Sequence, residues 1–195
     1  MTRSLKIVIA DDEELLVEEL CMYMQEAGHH VVATAQTGCE LVEAAAAQGP
    51  DLIVTDIKMP DMDGLQAVKK ICADRPIPVI IISAYHDEEY IAEAKQQCVM
   101  SYLVKPISEA NLKAAIALAI KRFDEFEMLL AENKDLRQTL ADRKVIERAK
   151  GLLMKRAGLD EPSAFKRLQA KAREKSLRMA DLAQSIVDAD ESFSS

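Results

Sequence analysis

The chain has 195 residues, 49% of them hydrophobic and 30% charged, with a formal net charge of −8. That composition predicts a globular protein of one large or two small domains, and no apolar stretch nears the roughly 18 residues that a membrane helix needs. Cys21, Cys39, Cys72 and Cys98 lack metal-type spacing, and residues 1–6 carry no cleavable signal pattern, so free thiols in a reducing cytoplasm are expected.

Apolar runs of strand length fall at 5–10, 31–35, 52–56, 79–83 and 101–104. Amphipathic segments of helix length alternate with them, at about 13–27, 38–48, 64–73, 87–97 and 109–121. Strands alternating with helices predict βαβ units and a parallel sheet. A run such as 79–82, all Val and Ile, suits a strand buried on both faces. Right-handed crossovers put helices on both sides of such a sheet. Residues 1–121 are therefore predicted to form a five-stranded, doubly wound α/β domain.

After residue 108 there is no Pro until 162 and no Gly until 151, in a stretch rich in helix formers. One long helix is predicted, continuing to about residue 157. In its linker part, 122–142, Phe126, Leu129, Asn133, Leu136 and Leu140 recur at steps of three and four. That is a short coiled-coil seam, and an Asn at an a position favours a parallel two-stranded register. Gly158 suits a helix end, and Asp160 suits the cap of a second helix running to about Lys175 with Ala164, Phe165, Leu168 and Ala172 inward. A third helix is predicted at about 178–188. Residues 143–188 thus read as a small three-helix all-α domain, and 189–195 as a frayed acidic tail.

Four of the apolar runs end in polar residues. Asp11 and Asp12 follow the first, Asp56 ends the third, Ser83 ends the fourth, and Lys105 follows the fifth. Ligands of open α/β sheets bind at the carboxyl ends of the strands, so these groups are predicted to converge. Hard Mg²⁺ prefers carboxylate, carbonyl and phosphate oxygens. Asp12, Asp56 and the main-chain carbonyl of Lys58 could hold it, with Asp11 ordering its hydration. Asp56 is then a candidate nucleophile for phosphoryl transfer, Lys105 a counter-charge and Ser83 a hydroxyl donor. A phosphatase using the same nucleophile would want a second acid two residues after Asp56, where Lys58 stands.

With Met59-Pro60, Asp63-Gly64, Ser83-Ala84, Tyr102 and Lys105-Pro106, the set closely resembles a response-regulator receiver domain over about residues 5–121. The resemblance implies a flavodoxin-like fold and phosphorylation of Asp56 by a partner histidine kinase with Mg²⁺. It also implies a switch formed by Ser83 and Tyr102, a cis Lys105-Pro106 bond, and no metabolic enzyme activity.

Charge is unevenly spread. Residues 143–178 hold 12 Lys and Arg against 4 Asp and Glu, whereas residues 1–121 hold 10 against 19. A basic block in an acidic chain suggests an anionic partner for that block. Lys144, Arg148, Gly151 and Lys155 share a helix face centred well over 100° from the apolar stripe of Val145, Ile146, Ala149, Leu152 and Leu153. Lys166 and Arg173 share an outer face of the next helix, and Lys150 joins the same candidate set. A solvated charged face is the plain alternative, and docking of an acidic protein another. Base stacking looks unfavourable, because Phe165 and Phe193 are the only aromatics after residue 126 and Phe165 reads as core. A helix-turn-helix on DNA remains a rival.

The run 145–154, Val-Ile-Glu-Arg-Ala-Lys-Gly-Leu-Leu-Met, with Ala164-Phe165, Leu168, Ala172 and Ala183, resembles an ANTAR output domain over about 135–188. The resemblance implies RNA binding that prevents transcription termination by stabilising an antiterminator hairpin pair. The expected whole is a cytoplasmic two-component response regulator with RNA output, homodimeric when activated; the alternative is a receiver-controlled DNA-binding transcription factor.

Overall fold

The computed structural model describes residues 3–84 and 98–194, with side chains through Glu191. In chain order the elements are β1 (Lys6–Ala10), α1 (Glu14–Glu26), β2 (His30–Ala35), α2 (Gly38–Gln48), β3 (Leu52–Asp56), α3 (Gly64–Asp74), β4 (Val79–Ser83), β5 (Val99–Val104), α4 (Glu109–Ala157), α5 (Glu161–Glu174) and α6 (Met179–Ser194). The helix expected at 87–97 lies outside the described residues. The chain divides into two compact units, residues 1–127 and 128–195.

In the first unit all five strands are parallel, in the order β2-β1-β3-β4-β5. Alternate side chains of each strand point to opposite faces. Ile7, Ile9, Leu52, Val54, Ile80 and Ile82 therefore form one layer, packed against Val17, Leu20 and Met24 of α1 and Leu112, Ile116 and Ala119 of α4. Val8, Ala10, Ile53, Val79 and Ile81 form the other, against Leu41 and Ala45 of α2 and Leu65, Val68 and Ile71 of α3. Burial on both faces is why these strands read as unbroken apolar runs rather than alternating ones. The sheet is thus the expected doubly wound one, and the chain reverses its direction of sheet growth between β1 and β3, where such sheets open a crevice.

Local chemistry sets the loops at that crevice. Thr37 caps α2 by accepting from the Glu40 amide at 3.1 Å, and Asp63 caps α3 by accepting from the Gln66 amide at 2.7 Å. Gly64 starts α3 hard against the end of β3. A Cβ there would lie 1.9 Å from the Asp56 carbonyl oxygen, so no other residue fits without moving the strand end.

The second unit has its own core. Ala149 on α4, Leu168 and Ala172 on α5, and Leu182, Ala183 and Val187 on α6 are buried together, flanked by Val145, Ile146, Leu152, Leu153 and Met179. Gly158 adopts a left-handed φ of 62° after α4, and Asp160 caps α5 by accepting from the Ser163 amide at 3.0 Å.

Two expectations for this unit are corrected. Phe165 is not core: it is 37% exposed. The buried faces of these helices carry small side chains, Ala149, Ala164, Ala172 and Ala183, and at about 100° per residue Phe165 falls at the margin of the α5 stripe rather than within it. Nor does the chain fray after residue 188. The helix α6 continues to Ser194, and its last turns are tied down by ion pairs from Asp190 to Arg156 and from Glu191 to Arg148.

Candidate functional site

The carboxyl ends of the strands bring the predicted residues together. Asp11 and Asp12 leave β1, Asp56 ends β3, Ser83 ends β4, and Lys105 follows β5. The carboxylate oxygens of Asp11, Asp12 and Asp56 lie within 4.8 Å of one another. Asp11 is fully buried, Asp56 nearly so, and Asp12 is exposed at the mouth. The Lys105 ammonium sits among them, 2.9 Å from Asp56 Oδ2 and 3.0 Å from Asp11 Oδ2.

The ammonium has a third partner that sequence reasoning missed: Glu13 Oε1, at 2.7 Å. The signal was present, since Glu13 directly continues the Asp11-Asp12 pair, and its amide donates to Asp11 Oδ1 at 2.9 Å. Burial alone would lower the Lys105 pKa, but hydrogen bonds to Glu13 and Asp56 and the nearby Asp11 carboxylate outweigh it and raise it well above the ordinary lysine value. Lys105 is therefore a fixed positive charge. Burial pushes the Asp11 carboxyl the other way, above its usual range, and the Glu13 amide and Lys105 only partly offset this.

Two atoms show what the pocket lacks internally. Asp11 Oδ2, although close to Lys105, makes no hydrogen bond of good geometry, and the buried Ser83 Oγ has no hydrogen-bond partner among the described residues. Orphaned buried polar atoms cost stability unless a ligand or water completes them. An all-oxygen cluster holding an unsatisfied carboxylate oxygen fits a hard divalent cation such as Mg²⁺. A buried hydroxyl at the end of β4, the strand paired with β3, fits an incoming phosphoryl oxygen.

The remaining receiver residues take up supporting positions. Lys58 lies two residues past Asp56, exposed in the β3–α3 loop. Tyr102 on β5 is half-buried beside the core, paired in register with Ile81, and burial raises its hydroxyl pKa. The Lys105-Pro106 bond is cis. A groove of about 950 Å³ in this unit is lined by Leu5, Asp51 and Pro78 and opens at the opposite, amino end of the strands. It is separate from the acidic crevice.

In the second unit Lys144, Arg148, Gly151 and Lys155 on α4, and Lys166 and Arg173 on α5, are all exposed. Arg148 carries an ion pair to Glu191 at 2.7 Å. Lys150 does not share that face. Its side chain is only 8% exposed and bridges Glu147 at 2.9 Å and Glu161 at 2.7 Å, joining α4 to α5. At about 100° per residue it stands on the opposite flank of α4 from Arg148. Arg156, absent from the sequence-derived set, pairs with Asp190 beside the basic face. Of the linker seam, Leu129, Asn133, Leu136 and Leu140 are exposed, the leucines by 57% to 64%. Phe126 instead packs on the core of the first unit, its ring centroid 6.2 Å from that of Phe123.

Comparison with known proteins agrees with this division. The response regulator receiver domain model matches residues 7–117, and the ANTAR domain model matches residues 134–187. Neither is a catalytic output domain. The transcriptional regulatory protein PdtaR of Mycobacterium tuberculosis (strain ATCC 25618 / H37Rv) is 37% identical over 183 residues, covering 94% of this chain and 89% of that protein. Among solved structures, the REC domain of AraT, a response regulator from Geobacillus stearothermophilus, is 30% identical with a TM-score of 0.58, over 64% of this chain and 99% of that one. A response regulator receiver domain protein from Clostridium thermocellum is 28% identical with a TM-score of 0.57, over 61% and 96%. The geometry of the acidic crevice, the two matched models and the near full-length relative converge: the chain belongs to the response regulators, with a receiver domain and an ANTAR domain in one polypeptide.

Proposed function

We propose that Asp56 accepts a phosphoryl group from a partner histidine kinase, and that this controls binding of the C-terminal bundle to RNA hairpins that prevent transcription termination. The observation that carries the reading is the convergence of Asp11, Asp12, Asp56 and Lys105 on one crevice, with Ser83 ending the neighbouring strand β4, in a chain that also holds an ANTAR domain. No helix among the described residues is long and apolar enough to cross a membrane, and the four cysteines are free thiols. Both features accord with action in the cytoplasm.

An Asp56 carboxylate oxygen attacks phosphorus on the kinase phosphohistidine; the P–O bond forms as the P–N bond breaks, and the imidazole leaves. Mg²⁺, held by Asp12, Asp56 and the Lys58 carbonyl, would offset repulsion between the carboxylate and the incoming dianion. Asp11 orders hydration at the cluster. Lys105 exchanges its Glu13 partner for a phosphoryl oxygen, and the Ser83 hydroxyl donates to another. The new group adds about 1.5 to 2 negative charges. Ser83 is drawn toward it, Tyr102 turns inward, and the β4–β5 surface changes shape. That change favours a homodimer along Leu129, Asn133, Leu136 and Leu140, which pairs two basic bundles for two hairpins.

The test has two arms. Asp56→Asn should abolish acid-labile phosphate incorporation from a small phosphodonor, and persistence of the label overturns the site. The activated protein should shift a two-hairpin leader RNA and resist competition by duplex DNA. Preference for the DNA would instead make the chain a DNA-binding regulator.

A further inference from the structure

We infer that Phe165 is a base-stacking platform: its ring takes an unpaired RNA base while Lys166 and Arg173 hold the flanking phosphates. The inference rests on the RNA reading above and adds a specificity-determining residue to it.

The observation is a core built without its aromatic. Phe165 is the only ring among the described side chains of the second unit, yet it lies outside the cluster of Ala149, Leu168, Ala172, Leu182, Ala183 and Val187. Aromatic rings carry large burial energies and usually sit inside small domains. A lone exposed apolar residue means little by itself; its neighbours give this one meaning. At about 100° per residue, Pro162, Phe165, Lys166, Gln169 and Arg173 fall within an arc of about 100° along the exposed edge of α5.

The charges on that edge are available. Arg148, Lys150, Arg156, Lys171 and Arg178 of the same unit are each held by a carboxylate. Lys166 and Arg173 make no ion pair among the described residues. An aromatic side chain at one margin of an edge that carries two unengaged cations, with an amide one turn along, matches the chemistry of single-stranded nucleic acid: stacking for the base, charge for the backbone. A paired duplex offers no free base face. The edge therefore selects loops and bulges over stems, which basic residues alone do not.

The test uses the full-length, activated protein and two probes, a hairpin RNA with unpaired loop bases and a fully paired RNA duplex of equal length. Phe165→Leu keeps an apolar side chain but removes the π face. It should weaken hairpin binding between about fivefold and about 150-fold, the range of one lost base stack, and leave duplex binding, dimerisation and the melting temperature unchanged. Phe165→Trp should restore hairpin binding. A 5-iodouracil placed in the loop should crosslink to Phe165 in the unaltered protein, a readout that needs no variant to fold. Unchanged hairpin affinity in Phe165→Leu, equal loss on both probes, or crosslinks only to other residues would each overturn the inference. If the unaltered protein binds no hairpin RNA, the RNA reading itself falls and takes this with it.

Discussion

The acidic end of α6 should restrain RNA binding, and its removal can be measured. Glu191 lies 2.7 Å from Arg148, and Asp190 pairs with Arg156, so two guanidiniums on or beside the basic face of α4 are already occupied by carboxylates. Both arginines are more than half exposed, and exposed pairs of this kind contribute at most about 1 kcal/mol each. Asp190→Asn with Glu191→Gln should therefore leave the fold nearly as stable. An RNA phosphate must displace these carboxylates, so the double variant regains up to about 2 kcal/mol on binding, an affinity gain of up to roughly thirtyfold. If the freed arginines reach phosphates only in the variant, the plot of log K against log salt steepens by about 0.7 to 0.9 per added contact. Fluorescence anisotropy of a labelled two-hairpin RNA between about 50 and 200 mM salt measures both quantities. An unchanged or weaker affinity, with no change in slope, would refute the reasoning, because it would mean that Arg148 and Arg156 do not face the RNA.

Two further outcomes follow from the receiver and the linker. Burial holds the Asp11 carboxyl above its ordinary value of 3.8. A folded-state value above the unfolded one means that the folded state binds the proton more tightly, so stability falls as pH rises from about 4 through that raised value. At neutral pH and without divalent cation, Asp11→Asn should then raise the melting temperature, by about 2–4 °C for each kcal/mol recovered. It should also weaken stabilisation by added Mg²⁺; a lower melting temperature without cation would contradict the burial argument. In the linker, Leu136→Lys puts a charge into the exposed seam and should convert the activated dimer to monomer by analytical ultracentrifugation at micromolar concentration. An unaffected dimer would move the interface elsewhere.

The receiver was legible because its strands are buried on both faces. Val79 to Ile82 have no polar position to confuse the period, and each strand delivers its functional residue at the end where sheets of this kind bind ligands. Glu13 was legible too, beside Asp11 and Asp12, but only the structure shows that it reaches Lys105. The bundle was harder. Phe165 lies about 20° from Ala172 on the helix wheel, so periodicity alone puts it at the margin of the buried stripe. Which side of that margin it takes depends on the tertiary packing of three helices, which the wheel does not contain. Lys150 looked like one more surface cation because its second partner, Glu161, lies beyond the turn at Gly158. The end of α6 looked like a free tail because the arginines that hold it stand more than thirty residues upstream.

The central claim is that chemistry at Asp56 governs RNA binding by the second unit. Its most direct test measures the dissociation constant for a two-hairpin leader RNA, with and without a small phosphodonor and Mg²⁺, for the unaltered chain and for Asp56→Asn. The account predicts that phosphodonor tightens binding by the unaltered chain at least tenfold, in step with dimer formation, and leaves Asp56→Asn at the weak, unstimulated level. Equal affinities in all four conditions would contradict it.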